Sequence, residues 1–173
     1  MIIGKGAGVI LIADNGAVLL QHRDENNKWN QDSWSEFGGQ IEEGETPEEA
    51  IKRELKEELG IELIDLKFFK KYGLQRKKGI YEQFVFTASL NYLLESLKKQ
   101  QKEGKDLALF SCEEIKNLKM ADYTREILED FFKENGKNIP RKTGAFVFGE
   151  GGVKKRQNIN RCLILNNHPF LFF

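Results

Sequence analysis

One segment, residues 39–61, constrains the fold of this chain more than any other, because it carries the signals for both ends of a helix. The Thr-Pro-Glu-Glu run at 46–49 has the form of a capping box, with proline at the first helical position. Gly60 stands where a left-handed C-terminal cap belongs. These signals predict a helix from about Pro47 to Leu59, entered through a glycine turn.

The predicted helix places three glutamates on one side. Glu54, Glu57 and Glu58 are three and four residues apart, and beside them lies an apolar stripe formed by Ile51, Leu55 and Leu59. Carboxylates this close repel one another unless a cation neutralises them, and Mg²⁺ binds carboxylate, carbonyl and water oxygens and is commonly shared with phosphates. For the three glutamates alone, a solvated surface supported by Lys52 and Lys56 is the alternative.

The spacing of the whole segment favours the metal interpretation. It resembles the Nudix box, G-x5-E-x7-R-E-U-x-E-E-x-G-U, in which U is an aliphatic residue. The pattern is filled without a mismatch by Gly39, Glu45, Arg53, Glu54, Leu55, Glu57, Glu58, Gly60 and Ile61. The chain therefore resembles the MutT-like nucleoside triphosphate pyrophosphohydrolases of the Nudix hydrolase family.

The resemblance implies an α/β protein over residues 1–136, the Nudix-type α/β/α sandwich with a mixed β-sheet between helices. It also implies an enzyme that hydrolyses phosphoric anhydride bonds and splits a nucleoside diphosphate linked to X into NMP and P-X. A nucleoside triphosphate, including a modified one, is the first choice, because the residues typical of ADP-ribose and diadenosine polyphosphate hydrolases are missing beyond the box. The alternatives are a nucleotide-sugar or dinucleotide pyrophosphatase, an isomerase of the same fold, and a non-catalytic nucleotide-binding module, although such modules typically lose box glutamates.

By the same resemblance, Mg²⁺ would be held by the three box glutamates and by the backbone carbonyl of Gly38, with Mn²⁺ as the second choice. Phe37 stands where the family commonly has a proline before the glycine pair. Arg53 and Glu45 would orient the glutamates. The proton acceptor would be one of the box glutamates or a fourth carboxylate on a later loop, for which Glu103 is the first candidate and Asp106 the second.

Candidate substrate contacts lie in three places outside the box. Arg23 follows a predicted strand, where many Nudix proteins have a basic residue that faces the phosphates; a solvated strand end is the alternative. Trp29, in the polar loop 24–33, either stacks on a base as a lid residue or covers an edge of the core. Arg76 and Lys77 belong to a basic turn that either contacts phosphates or is only solvated.

The remaining pattern predicts the sheet and further helices. Two aliphatic runs joined by Asp-Asn-Gly indicate a β-hairpin. We predict strands at 6–13, 17–22, 61–72, 80–90 and 107–111, a loop or short helix within 91–106, a brief helix that begins after Ser111 and ends near Leu118, and an amphipathic helix at 121–134.

Composition limits the partners. The chain has 27 basic and 27 acidic residues, so no overall field recruits a nucleic-acid polymer or an anionic membrane. No apolar run reaches the ~18 residues of a membrane-spanning helix. The two cysteines, Cys112 and Cys162, are too few for a disulfide framework and suit a reducing cytosol, so we expect a cytoplasmic protein that binds a nucleotide.

Residues 137–173 form a C-terminal appendage that falls outside the resemblance. Its last residues are strongly apolar, so we expect it to dock on its own domain or on a second subunit, as in a homodimer. The sequence does not assign its role.

Overall fold

The computed structural model describes residues 1–25 and 30–135. The strands in chain order are β1 (Ile2–Ile12), β2 (Val18–His22), β3 (Trp34–Ser35), β4 (Phe37–Gln40), β5 (Lys67–Arg76), β6 (Gly79–Ser89) and β7 (Asp106–Phe110). The helices are α1 (Pro47–Glu58), between β4 and β5, α2 (Leu94–Gln100), between β6 and β7, and α3 (Asp122–Asn135), which follows β7. A 3₁₀ turn at Glu114–Asn117 precedes α3.

Strand β1 lies at the centre of the mixed sheet. The strand order is β3-β2-β1-β6-β5, with β4 pairing with β1 and β7 with β2. β1 runs antiparallel to β2 and β4 and parallel to β6, whereas β5 and β6 are antiparallel. The mixed sheet between helices that the resemblance implied is therefore confirmed.

The alternation of side chains along β1 creates a core on each side of the sheet. Val9 and Leu11 point to the α1 side, where they join a buried cluster that includes Ala50, Ile51, Leu55 and Leu59. Ile10 points to the α3 side, into a second cluster that includes Ile127, Leu128, Phe131 and Phe132. On each side of the sheet, every second side chain of β1 packs against the apolar side of a helix, whose apolar residues recur about every 3.6 positions. The result is a three-layer arrangement of helix, sheet and helix.

The predicted start and end of α1 are confirmed. The Thr46 side chain accepts a hydrogen bond from the Glu49 backbone N–H, and the Glu49 carboxylate accepts one from the Thr46 N–H at 2.8 Å. The helix ends at Glu58, with Leu59 as the C-cap, and Gly60 adopts the left-handed conformation at φ 66°. The segment thus folds as its local signals require.

The strand predicted at 61–72 begins too early and ends too soon. β5 starts at Lys67 and runs to Arg76, so only Lys77 and Lys78 remain as the turn before β6. Ile61 is instead buried in the α1-side core, with its N–H bonded to the Leu55 carbonyl, because this apolar residue completes the end of the helix. Ile64 is 99% exposed, which excludes a buried strand in this stretch.

The other predicted elements fold nearly as expected. β1 and β2 form the hairpin, with β1 extended back to Ile2 and Gly16 at φ 81° in the turn. For residues 91–106, where we predicted a loop or a short helix, the structure has the short helix α2. The brief helix predicted after Ser111 is a 3₁₀ turn, and Ser111 and Glu114 make the predicted capping hydrogen bonds. Over the two described ranges, no helix is long and apolar enough to cross a membrane. Trp29 and residues 137–173 lie outside the described residues.

Candidate active site

The glycine pair within β4, Gly38 and Gly39, lets this strand lie close to β1 and to helix α1. Gly38 has φ 135°, and an added Cβ would lie 2.1 Å from the Ala7 carbonyl oxygen of β1. An added Cβ on Gly39 would lie 2.1 Å from Oε1 of Glu54. Phe37, in the place where the family commonly has proline, is buried in the α1-side core and pairs with Val9 of β1. Because Gly38 and Gly39 have no side chain, the β4 backbone lies close to β1 and to the Glu54 carboxylate, while Phe37 fills the core.

Arg53 is the cation that organises the helix surface. Its Nε and one terminal nitrogen donate to the two carboxylate oxygens of Glu45, at 3.0 and 3.1 Å. Its other terminal nitrogen donates to Glu54 at 2.9 Å and to Glu57 at 3.3 Å, and the guanidinium also reaches the Gln40 carbonyl at 3.1 Å. Because the Arg53 and Glu45 side chains are only 24% and 14% exposed, this fork is a partly buried network rather than a loose surface pair.

Glu58 is the buried member of the three box glutamates, at 6% exposure. Nε2 of Gln21, from β2, donates to its carboxylate at 3.5 Å. Burial, followed by the negative charges of Glu54 and Glu103, raises the pKa of Glu58 to about 8. Burial also raises the pKa of Glu54, against the opposing effect of Arg53.

Glu103 lies beside the same carboxylates, although it comes from a different part of the chain. It is exposed on segment 101–105, which connects α2 to β7, and its charge raises the pKa of both Glu54 and Glu58. The backbone N–H of Lys102 donates to the Glu58 carbonyl at 2.9 Å, which ties the segment to the end of α1. The structure thus brings Glu54, Glu58 and Glu103 together.

Asp106, the second candidate for the fourth carboxylate, is engaged elsewhere. It forms an ion pair with Lys98 at 2.8 Å and accepts a hydrogen bond from the Leu107 N–H. The hydrogen bond from Lys98 holds the pKa of Asp106 below its usual range. Its position therefore favours Glu103 as the fourth carboxylate.

The donor set fits a hard divalent cation, although the side chains do not converge fully. Within 1–25 and 30–135, no three acidic, histidine or cysteine side chains are arranged around one point as a metal site. The pairings explain this: Arg53 draws Glu54 and Glu57 to itself, while Glu58 faces Gln21. The cluster offers only oxygen donors, and burial, together with the negative charges of neighbouring carboxylates, raises the pKa of Glu54 and of Glu58, so a bound cation would stabilise their ionised forms.

Two of the three predicted basic contacts approach this region. Nε of Arg23 is buried without a hydrogen-bond partner among the described residues, and the positive charge of Arg23 lowers the pKa of Glu58, a smaller effect than burial. Arg76 lies over the Tyr123 ring, 5.8 Å from its centroid. Burial raises the pKa of Tyr81, the charge of Arg76 lowers it and the charge of Glu54 raises it, so both charged groups lie near this ring. Arg76 therefore lies on the α3 side of the site. Lys77 is exposed in the turn that follows β5.

A buried acid on the α3 side was missed by the sequence analysis. Glu36 is 5% exposed and accepts a hydrogen bond from the Thr124 hydroxyl at 2.5 Å, and burial raises the pKa of its carboxyl group. It lies against Gly8 of β1, next to Gln83 of β6. The period-two alternation from Trp34 was the available signal, because it assigns Glu36 to the side of the sheet that α3 covers.

A depression of about 400 Å³ beside α1 is lined by Lys52, Arg53, Lys56, Glu62 and Leu63. Lys52 pairs with Glu48 at 2.8 Å, and Lys56 pairs with Glu62 at 3.7 Å. Because its two lysines are paired and Arg53 turns its guanidinium to the glutamates, the depression does not extend the acidic site.

Comparisons with known proteins agree with this geometry. Residues 3–131 match the model of the NUDIX domain. An 8-oxo-dGTP diphosphatase of Haemophilus influenzae is 32% identical over 104 residues, which cover 60% of this chain and 74% of that protein. An RNA pyrophosphohydrolase of Stutzerimonas stutzeri is 48% identical over 60 residues, but these cover only 35% of each chain.

Solved structures share the fold. The MutT protein from Methanosarcina mazei Go1 superposes with a TM-score of 0.65 at 23% identity, covering 76% of this chain and 94% of that one. A mutT/nudix family protein from Listeria innocua gives a TM-score of 0.64 at 25% identity, covering 79% and 96%. With three quarters of the sequence inside the domain match and every box position filled, the chain belongs to the NUDIX domain family of hydrolases, whose members use a divalent metal.

Proposed function

We propose that this protein hydrolyses a nucleoside triphosphate, including an oxidised one, to NMP and pyrophosphate, with Mg²⁺ as the cofactor and Mn²⁺ as a substitute. The observation that carries the proposal is the acidic cluster in which Glu58, buried at the end of α1, faces the charges of Glu54 and Glu103. The activities for which the relatives are named, an 8-oxo-dGTP diphosphatase and an RNA pyrophosphohydrolase, support a triphosphate over other phosphoric anhydrides.

The metal would be held by Glu54, Glu57, Glu58 and the Gly38 carbonyl. A divalent cation at this cluster supplies charge neutralisation on the phosphates and a water of lowered pKa. Glu57 is 61% exposed at its side chain and pairs with Arg53, so it would have to turn from the guanidinium towards the cluster. The Gly39 backbone leaves room for the Glu54 carboxylate beside it.

The other side chains have separate roles in this proposal. Arg53, fixed by both oxygens of Glu45, positions Glu54 and Glu57. Gln21 positions Glu58 by donating to its carboxylate. A box glutamate or Glu103 accepts the proton of the attacking water.

Arg23 would bind a phosphate, because the Nε–H of its guanidinium is buried and has no acceptor within the described part of the chain. The nucleoside would lie on the α3 side, where Arg76, Tyr81 and Tyr123 adjoin the cluster. Lys77 and Trp29 remain predictions for the outer part of the substrate.

A substrate panel tests the proposal. The protein is assayed with Mg²⁺ against ordinary and oxidised nucleoside triphosphates, nucleotide sugars, dinucleotides and a 5′-triphosphorylated oligonucleotide, with products separated by chromatography. We expect triphosphates to give NMP and pyrophosphate, with Glu58→Gln slower by at least ~10²-fold, the lower range for loss of a positioned catalytic group.

The matched control is Glu43→Gln, which removes an exposed acid just before α1 and leaves turnover unchanged. If the protein hydrolysed only nucleotide sugars or dinucleotides, those compounds would replace nucleoside triphosphates as the proposed substrate class. Equal turnover of wild type and Glu58→Gln on every substrate would reject the acidic cluster as the catalytic site.

A further inference from the structure

One peptide group, the Glu103–Gly104 unit, is held at both ends by side chains from different parts of the chain. Its carbonyl oxygen accepts a hydrogen bond from Nε2 of Gln101 at 2.6 Å. Its N–H donates to Oδ2 of Asp24 at 3.2 Å. Asp24 follows β2, so the contact joins the loop after β2 to segment 101–105 across most of the described sequence.

The backbone on either side of this peptide group is fixed as well. The N–H of Lys102 bonds to the Glu58 carbonyl at 2.9 Å, and the N–H of Lys105 bonds to the His22 carbonyl at 2.7 Å. Gly104 has φ 81°, and an added Cβ would lie 2.8 Å from the His22 carbonyl oxygen. Segment 101–105 is therefore pressed between the end of α1 and the end of β2.

Glu103 is exposed, and its side chain makes no hydrogen bond within the described residues. The contacts to the neighbouring backbone are therefore what restrains its position. An exposed glutamate loses rotamer entropy when it is confined, so a fixed backbone lowers the remaining cost of bringing its carboxylate to the cluster. A clamped peptide plane removes the freedom of ψ at Glu103, the torsion adjacent to its Cα.

We propose that Asp24 and Gln101 are positioning residues, which hold the 103–104 peptide group so that the Glu103 carboxylate faces Glu54 and Glu58. The inference rests on the proposed function in one respect, since it takes Glu103 as a member of the acidic cluster that binds the divalent cation. Asp24 acts as a hydrogen-bond acceptor in this role, and its charge is not required.

Two substitutions at Asp24 separate these roles. Asp24→Ala removes the acceptor, whereas Asp24→Asn keeps an oxygen that accepts from Gly104 N–H and loses only the charge. Gln101→Met removes the donor at nearly constant size. Glu95→Gln on α2, an exposed acid outside the segment, is the control.

The readout is Mn²⁺ binding to the full chain, measured by electron paramagnetic resonance without nucleotide, alongside the melting temperature in EDTA. We expect Asp24→Ala and Gln101→Met to weaken Mn²⁺ binding by about three- to tenfold, below the ~10–100-fold typical of groups that bond directly to a metal ligand. Asp24→Asn and Glu95→Gln should bind like wild type.

A double-mutant cycle with Glu103→Gln decides the proposal. If Asp24 and Gln101 act through Glu103, neither substitution weakens Mn²⁺ binding further once Glu103→Gln is present. Additive losses, or a loss in Asp24→Asn equal to that in Asp24→Ala, would overturn the inference. Because no nucleotide is used, a protein that hydrolyses no triphosphate yet shows the cycle would refute the proposed function and leave this inference standing.

Discussion

The carboxylate of Glu54 occupies the space that a side chain at position 39 would fill: Oε1 lies 2.1 Å from where the Cβ of a residue replacing Gly39 would stand. Gly39 has no positive φ, so the backbone itself would accept alanine. We predict that Gly39→Ala displaces Glu54 and lowers turnover by at least ~10-fold, as expected when a catalytic group moves by about 1 Å.

Gly44→Ala is the matched control for that substitution. Gly44 has φ 83°, but an added Cβ would meet nothing within 4 Å. We expect Gly44→Ala to cost about 1 kcal/mol of unfolding free energy while turnover stays at the wild-type value. Steady-state kinetics and urea unfolding of both variants separate steric displacement of Glu54 from backbone strain; unchanged turnover in Gly39→Ala would contradict the prediction.

Replacement of Arg53 by lysine tests the guanidinium fork. Lysine keeps the positive charge but cannot bond to both oxygens of Glu45 while reaching Glu54 and Glu57. We predict that Arg53→Lys lowers kcat by at least ~10-fold in a folded protein, checked by kinetics and circular dichroism. Lys52→Ala, which breaks an exposed pair with Glu48 on the same helix, should leave kcat unchanged. A wild-type kcat in Arg53→Lys would show that positive charge alone suffices.

Metal binding and stability should be linked. A cation bound by the native cluster and not by the unfolded chain stabilises by mass action, by about 2.7 kcal/mol at a concentration 100 times its Kd. We therefore predict that Mg²⁺ raises the melting temperature in a concentration-dependent way, measured by calorimetry, and that Glu54→Gln combined with Glu58→Gln removes most of the rise. In sodium chloride of equal ionic strength, the melting temperature of the double variant should change by the same amount as that of the wild type. A full Mg²⁺ response in the double variant would place the metal elsewhere.

The contact between β5 and α3 predicts a pH dependence of stability. Lys70 donates to Asp130 at 2.5 Å and Tyr72 donates to the same oxygen at 3.1 Å, which hold the pKa of Asp130 below its usual range. A lowered carboxyl pKa stabilises the fold above the unfolded value of about 4, and this contribution is lost as the pH falls through the folded pKa. Asp130→Asn should therefore lower the melting temperature by a few degrees at pH 7 and much less at about pH 2–3. An equal difference at both pH values would mean that charge is not involved.

The domain boundary remains a prediction, because residues 137–173 lie outside the described residues. The family match ends at residue 131, and α3 ends at Asn135 with its apolar side covered by the second core. We predict that truncation after Lys137 keeps hydrolysis within about tenfold while it lowers stability or changes the oligomeric state, since the tail is apolar. Turnover and solution mass decide this, and complete loss of activity in a folded truncated chain would mean that the tail contributes to the site.

Sequence reasoning succeeded where the controlling contacts are local. The ends of α1 depend on residues within one helical turn, and the hairpin depends on a three-residue turn signal, so both were predictable. The start of the strand predicted at 61–72 was wrong because Ile61 looks like a strand residue by type, whereas its burial depends on the end of α1; residues 67–72 do belong to β5. Phe37 in the expected proline position could not be interpreted until Val9 was known as its neighbour in the sheet.

The site was predictable in part for the same physical reason. The box glutamates share a helix surface, which spacing alone reveals. Gln21, Asp24 and Gln101 could not be found, because each acts on a residue brought close only by the sheet or by the segment after α2. The buried state of Glu36 depends on Thr124, which follows it by 88 residues, so no local pattern records their contact.

The parallel pairing of β1 with β6 has a consequence for the order of events during synthesis. β2 and β4, which pair with β1, are synthesised soon after it, but its other edge pairs with β6, which begins only at Gly79. At a translation rate of roughly 5–20 residues per second, that edge is unpaired for several seconds. We therefore expect the nascent chain to carry an unpaired strand edge at its centre until its sixth strand pairs with its first.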